Sequence, residues 1–177
     1  MPDSRSEELL TRLLAAHSSH YDITRDYRFG GRVFSGFAEF HSHGEQYVLV
    51  KRAKLWEVDT HEYLFINIEE ELDEEDMQRA IDFMIEEAFR KVAPGPTHMS
   101  SAISLILIAS SVTDGAVRLL QKTRLRKSYR LSFHGWADLR LAVADLSRPL
   151  GKQVFTNVAG KQLRGALENN LALSSND

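Results

Sequence analysis

Apolar residues fall at helical spacing at Leu9, Leu10, Leu13, Leu14 and His17, which predicts a helix over residues 4–18 with one buried stripe. Ser4, followed three positions later by Glu7, has the form of a capping box at its start. Residues 21–31, punctuated by Gly30-Gly31, carry no such period. Beyond them the pattern shifts to a period near two over residues 34–41, 46–54 and 62–68, rich in branched and aromatic side chains. That alternation predicts three strands, with His-Ser-His-Gly-Glu at 41–45 as the turn between the first two and an antiparallel meander as the product.

Helical spacing returns at Met77, Ile81, Met84, Ile85, Ala88 and Val92. Asp73 is the expected cap, and Leu72 is placed to staple onto Met77. Pro94-Gly95-Pro96 forbids continuation. Residues 103–109 are apolar at odd and even positions alike, the signature of a strand covered on both faces and hence of a central strand. Thr113 caps a short predicted helix through Ala116, Val117 and Leu120. Strands are then expected at 128–133, 136–146 and 152–156, and a last helix at 160–171. The fold class is therefore α+β: two antiparallel three-stranded meanders flanking a central buried strand, with about four helices. Residues 1–171 form a single globular domain in this reading, followed by a polar tail at 172–177.

Composition narrows the class without naming a function. The chain has 177 residues, 43% hydrophobic, 27% charged and without cysteine, as expected of a globular domain with a real core and no thiolate chemistry. The amino-terminal residues lack the apolar run of a secretory signal and no segment is apolar enough for a membrane span, so a cytoplasmic, soluble protein without membrane attachment is expected. Net charge is −3, yet residues 1–100 carry 20 acidic and 11 basic side chains and residues 101–177 carry 5 and 11. Glu69, Glu70, Glu71, Asp73, Glu74, Glu75 and Asp76 form an acidic block, while Lys122, Arg124, Arg126, Lys127 and Arg130 form a basic one. Acid at a helix start suits the helix dipole and needs no ligand.

The basic stretch is the main binding candidate. Arg124, Arg126, Lys127 and Arg130 suit an anionic ligand or a nucleic-acid backbone, and Trp136 offers a stacking surface. Pairing with the acidic helix would satisfy the same charges. A homodimer through a strand edge is a further possibility that would give the tryptophans an interface role. Glu39, His41 and His43 alternate along one strand and are candidate metal ligands. No Gly-x-Ser-x-Gly elbow or phosphate-loop Gly-Lys occurs, and no cofactor is implied.

The order helix, three strands, helix, strand over residues 4–109 resembles the core layout of the PD-(D/E)XK nuclease superfamily. That resemblance would make metal-binding carboxylates of Glu57, Asp59 and Glu62 and an assisting lysine of Lys51 or Lys54, but no Glu-x-Lys or Asp-x-Lys stands in the third strand, where His61-Glu62-Tyr63-Leu64 is found. Separately, several segments together resemble an uncharacterised bacterial and archaeal family, a domain of unknown function. They are Tyr47-Val48-Leu49-Val50-Lys51, Lys54-Leu55-Trp56, Glu62-Tyr63, His98-Met99-Ser100-Ser101, Lys127-Ser128-Tyr129-Arg130, Gly135-Trp136-Ala137-Asp138-Leu139-Arg140, Thr156-Asn157 and Gly160-Lys161. This resemblance implies one domain of conserved order and no activity. A binding or accessory module is the function expected, with a divergent nuclease or nucleic-acid binder as the alternative.

Overall fold

The computed structural model describes the backbone of residues 4–47 and 54–174, and the side chains of residues 4–42 and 59–173. Helix α1 (Ser4–His17) precedes β1 (Asp22–Phe29), β2 (Arg32–Tyr47) and β3 (Lys54–Leu72); then come α2 (Glu74–Glu86) and a 3-10 helix (Ala88–Lys91). β4 (His98–Val112), α3 (Asp114–Lys122), β5 (Arg126–Ser128), β6 (Trp136–Asp145), β7 (Val154–Thr156) and α4 (Leu163–Ser174) complete the chain. The strands form one mixed sheet in the order β1-β2-β3-β4-β6-β5, with β7 also on β6. β1, β2 and β3 are successively antiparallel, whereas β3, β4 and β6 run parallel.

Helices cover both faces, which explains the unbroken apolar run of β4. Its Ile103, Leu105 and Leu107 pack with α2, the 3-10 helix and α3. Ile106 and Ile108 pack with Leu9, Leu10, Leu13 and Leu14 of α1 and Leu167 and Leu171 of α4. A parallel strand buried on both sides has no wet face to encode. No helix among the described residues is long and apolar enough to cross a membrane.

The expected caps form. Asp73 accepts from the Asp76 backbone N–H in a two-way capping box at the start of α2, and this bond holds the Asp73 carboxyl below its ordinary pKa. Leu72 and Met77 are both buried. Thr113 caps α3 through the Ala116 N–H.

Several strand assignments differ from the sequence reading. Residues 22–29 form β1, and Gly30-Gly31, both at positive φ (55° and 76°), make the tight β1–β2 turn, the mirror-image conformation that matches strand twist and favours glycine. The segment 41–45, expected to turn, instead runs straight through the β2–β3 ladder, with His41 opposite His61 and Gly44 opposite Val58. Of the strand expected at 46–54, residues 48–53 lie outside the described residues. Near the other edge, the expected strand 128–133 gives way after Ser128 to a turn in which Arg130, Leu131 and Ser132 all take positive φ. The second meander is also absent as such: β4 occupies one edge of β6, so β5 and β7 both dock on the other, at 136–138 and 142–144.

Between β5 and β7 a single side chain takes the place of a strand. Asn157, 1% exposed, accepts from the N–H of Leu141 (3.0 Å) and of Gly160 (2.8 Å). Its amide donates to the carbonyls of Leu139 (2.9 Å) and Thr123 (3.1 Å). The edge of β6 left open by its two short partners is thereby satisfied. The same bonds fix the 157–162 turn against the strand, and Gly160 is obligatory there because a Cβ would lie 2.4 Å from the Leu141 carbonyl oxygen.

The parallel strands also separate the two charge blocks. Arg126 stands opposite Asp138, which aligns with Ala102 and Glu62, while the acidic block begins at Glu69, seven residues further along β3. At about 3.3 Å per residue Arg126 and the acidic block lie roughly 20 Å or more apart along the strands. Arg79 of α2 pairs with Glu75 and Asp76 on its own helix. Among the described residues no ion pair joins residues 122–130 to residues 69–76.

Candidate anion-binding cleft

Alternation along β6 sends Leu139 and Leu141 toward α2 and α3, and Asp138 and Arg140 toward the α1/α4 face with Ala142 and Ala144. Opposite Asp138, Arg126 of β5 makes a bidentate pair with its carboxylate at 2.6 and 2.8 Å. The pair holds the guanidinium 5.6 Å from the Trp136 ring centroid. The 157–162 turn, pinned by Asn157, forms the facing wall. Between them lies an open cavity of about 550 Å³ whose charged lining is Arg124, Arg126, Asp138, Arg140 and Lys161. Lys161 and Gln162 lead directly into α4, so the amino end of that helix adds its positive dipole to the same border.

The cations differ in how they are held. Arg126 is neutralised by Asp138. Arg140 lies 3.8 Å from Glu62 of β3, and Gln162, with its amide oxygen turned toward it, lies 2.5–2.7 Å from the guanidinium nitrogens. Arg124 and Lys161 are exposed, and among the described residues neither makes an ion pair. Two cations are thus fixed in geometry by neighbours and two make no ion pair among the described residues, an arrangement whose field would favour an anion.

Behind Arg140 a second, smaller cavity of about 200 Å³ opens between α1 and α4, lined by His17, Tyr21, Glu62, Ser104, Arg140 and Gln162 among others. The central strand contributes the small side chain of Ser104, which aligns with Arg140. Tyr21 donates to Glu62 Oε2 at 2.6 Å. Burial, then this bond to a carboxylate, raises the Tyr21 pKa well above its ordinary value.

Of the binding residues expected from the sequence, Arg124 and Arg126 line the larger cavity, with Trp136 beneath Arg126. Lys127 lies 5.4 Å from the Tyr129 ring centroid, and Arg130 sits in the turn below, 3.5 Å from His134; neither lines the cleft. Of the nuclease-type candidates, Asp59 accepts from Thr97 at 2.5 Å, and strand parity sends it to the opposite face of β3 from Glu62. Those two carboxylates therefore do not meet on one metal. Lys51 lies outside the described residues, as do the side chains of Lys54 and Glu57.

Among the metal candidates, His43 is likewise undescribed at its side chain. Glu39 lies 3.5 Å from His41 Nε2, whereas His61 Nδ1 lies 2.8 Å from His41 Nδ1. The two neighbours address opposite nitrogens of one ring, so they do not converge. No group of three or more His, Asp or Glu among the described residues is placed to hold a metal ion. Burial first, then the proximity of His41 and His98, lowers the His61 pKa.

His98 and Ser101, seen in the sequence only within the family resemblance, make an inner pair. His98 Nδ1 faces the His134 carbonyl at 2.7 Å and must donate to it, which leaves Nε2 to accept from Ser101 at 2.9 Å. The tautomer is that of a serine activated by histidine. Ser101, however, is only 2% exposed and His98 5%, so the pair ties β4 to the β5–β6 turn from the inside.

Sequence reasoning left out Tyr21, Arg140, Lys161 and Gln162. Arg140 is a charge interrupting the apolar run of β6 and closes the Gly135-to-Arg140 motif of the family resemblance, and Lys161 belongs to its Gly160-Lys161 motif. That resemblance holds. The chain belongs to the DUF8052 family, a domain of unknown function, whose model matches residues 5–169. No curated protein and no solved structure matches it. The family match takes in both walls of the cleft and the Asn157 plug that positions one of them.

Proposed function

We propose that this protein is a binding or accessory module for a phosphate-bearing ligand, held in the cleft between the β5–β6 edge and the 157–162 turn. The observation that carries this reading is the combination of an open cavity of about 550 Å³ with Arg124 and Lys161 at its border and Arg140 fixed within it. The volume lies within the roughly 300–1,000 Å³ usual for small-molecule sites. A doubly charged phosphate gains from two cations that make no ion pair among the described residues and a third already oriented, at little cost in ordering the protein.

Titration calorimetry with inorganic pyrophosphate is the direct test. Binding should weaken as salt rises, since the border cations are exposed and screened. Arg124→Ala combined with Lys161→Ala should lower affinity by about tenfold or more, the loss expected from removing charge-assisted bonds. Pyrophosphate binding that is undetectable at low salt, or unchanged in the double variant, would overturn the reading.

A further inference from the structure

The cleft has a second chamber of different chemistry, and the two share a wall. Arg140 and Gln162 line both the larger basic cavity and the smaller one that holds Glu62, Tyr21 and Ser104. Glu62 is a carboxylate with two oxygens, and Tyr21 uses one of them. Its approach to Arg140, at 3.8 Å, balances charge without being a hydrogen bond. The side chain is 34% exposed, so acceptor capacity remains directed at the chamber. A carboxylate beside a phosphate site cannot favour a second anion there. It rewards donors, and neutral hydroxyl groups are the donors that a phosphate ester most commonly carries.

We infer that the ligand is a phosphorylated polyhydroxy compound, a sugar phosphate or nucleotide. Its phosphate lies against Arg124 and Lys161, and its hydroxyl groups donate to Glu62 across Arg140 and Gln162. Arg140 is the junction. Its guanidinium is held by Gln162 on one side and balanced by Glu62 on the other, so it can face the phosphate without releasing the carboxylate. The two chambers meet at Arg140 and Gln162, which line both. Together the cavities, about 550 and 200 Å³, accommodate a phosphopentose with space to spare; the larger alone suffices for the phosphate.

This inference rests on the phosphate reading above, and the test separates the two. Affinities of the full chain for ribose 5-phosphate and butyl phosphate are compared by calorimetry. Both carry a monoester phosphate, but only the first carries hydroxyl donors beyond it. Ribose 5-phosphate should bind at least about tenfold more tightly, the worth of one hydrogen bond to a charged acceptor. Glu62→Gln should reduce that preference to about twofold without lowering butyl phosphate affinity, since it removes no phosphate contact and leaves Arg140 without its balancing carboxylate. Glu62→Asp, which keeps the charge but withdraws it by a methylene, should show the same loss and keeps the test open where the glutamine variant does not fold. Equal affinity for the two phosphates, or a preference that survives both substitutions, overturns the inference and leaves the phosphate reading standing. Binding of neither compound overturns both.

Discussion

Replacing Asn157 with alanine tests whether one side chain can stand in for a strand. The change removes four hydrogen bonds, to Leu141 N–H, Gly160 N–H, Leu139 C=O and Thr123 C=O. Two backbone donors then face a position where the parent side chain is only 1% exposed. A buried donor left without a partner costs about 1–3 kcal/mol, so two set a range of roughly 2–6 kcal/mol, and partial entry of water brings the expected loss to about 3–4 kcal/mol. With a urea dependence of about 2 kcal/mol per molar, the unfolding midpoint should fall by roughly 1.5–2 M. Urea unfolding followed by tryptophan fluorescence reads this directly. Asn157→Asp supplies a control with opposite pH behaviour. It keeps the acceptors but sets a carboxylate against the two carbonyls, so it should recover stability as acid protonates it, whereas the alanine variant should not. An alanine variant within about 1 kcal/mol of the parent would show that the four bonds contribute no more than one ordinary hydrogen bond, and the argument for the plug would fail.

Two other substitutions probe the cleft wall and the histidine cluster. Gly160→Ala forces a Cβ to 2.4 Å from the Leu141 carbonyl oxygen and 2.9 Å from its nitrogen. It should destabilise by about 1–3 kcal/mol and weaken pyrophosphate binding by displacing Lys161; a thermal melt and a titration matching the parent would contradict this. His61 is pushed below its ordinary pKa of 6.5, so it stays neutral in the fold at pH values where the unfolded chain already binds a proton. Its contribution is complete above that value and is lost as pH falls from it toward the folded pKa. Urea midpoints at pH 8 and pH 5.5 should therefore differ less in His61→Asn than in the parent, and an equal difference in both would remove His61 as the cause.

Local order was legible where a short segment carries its own instruction. Asp73 and Thr113 cap their helices because a side-chain oxygen reaches an N–H two or three residues on, and no distant contact is needed to write that bond. The double-sided apolar run at 103–109 named β4 as central, since a strand covered on both faces must be apolar on both. Gly30-Gly31 was seen as punctuation, but the strand before it was not, because Asp22, Arg25, Asp26 and Arg28 on an exposed edge carry little apolar period. Conversely, His-Ser-His-Gly has the composition of a turn and lies within a ladder, since pairing with residues 57–61 overrides a local preference that costs little.

The site was beyond the reach of such reading. Tyr21, Glu62, Arg140 and Lys161 come from four separate segments, and the chain spacing between them holds no trace of their meeting; only the parallel arrangement of β3, β4 and β6 brings Glu62 and Arg140 together. The charge division was plain in the sequence, but its meaning was not. Composition alone left open whether acid and base neutralise each other. The sheet decided it, by placing the acidic helix start and the basic β5 edge at opposite ends of parallel strands, beyond the range at which exposed charges feel one another in physiological salt.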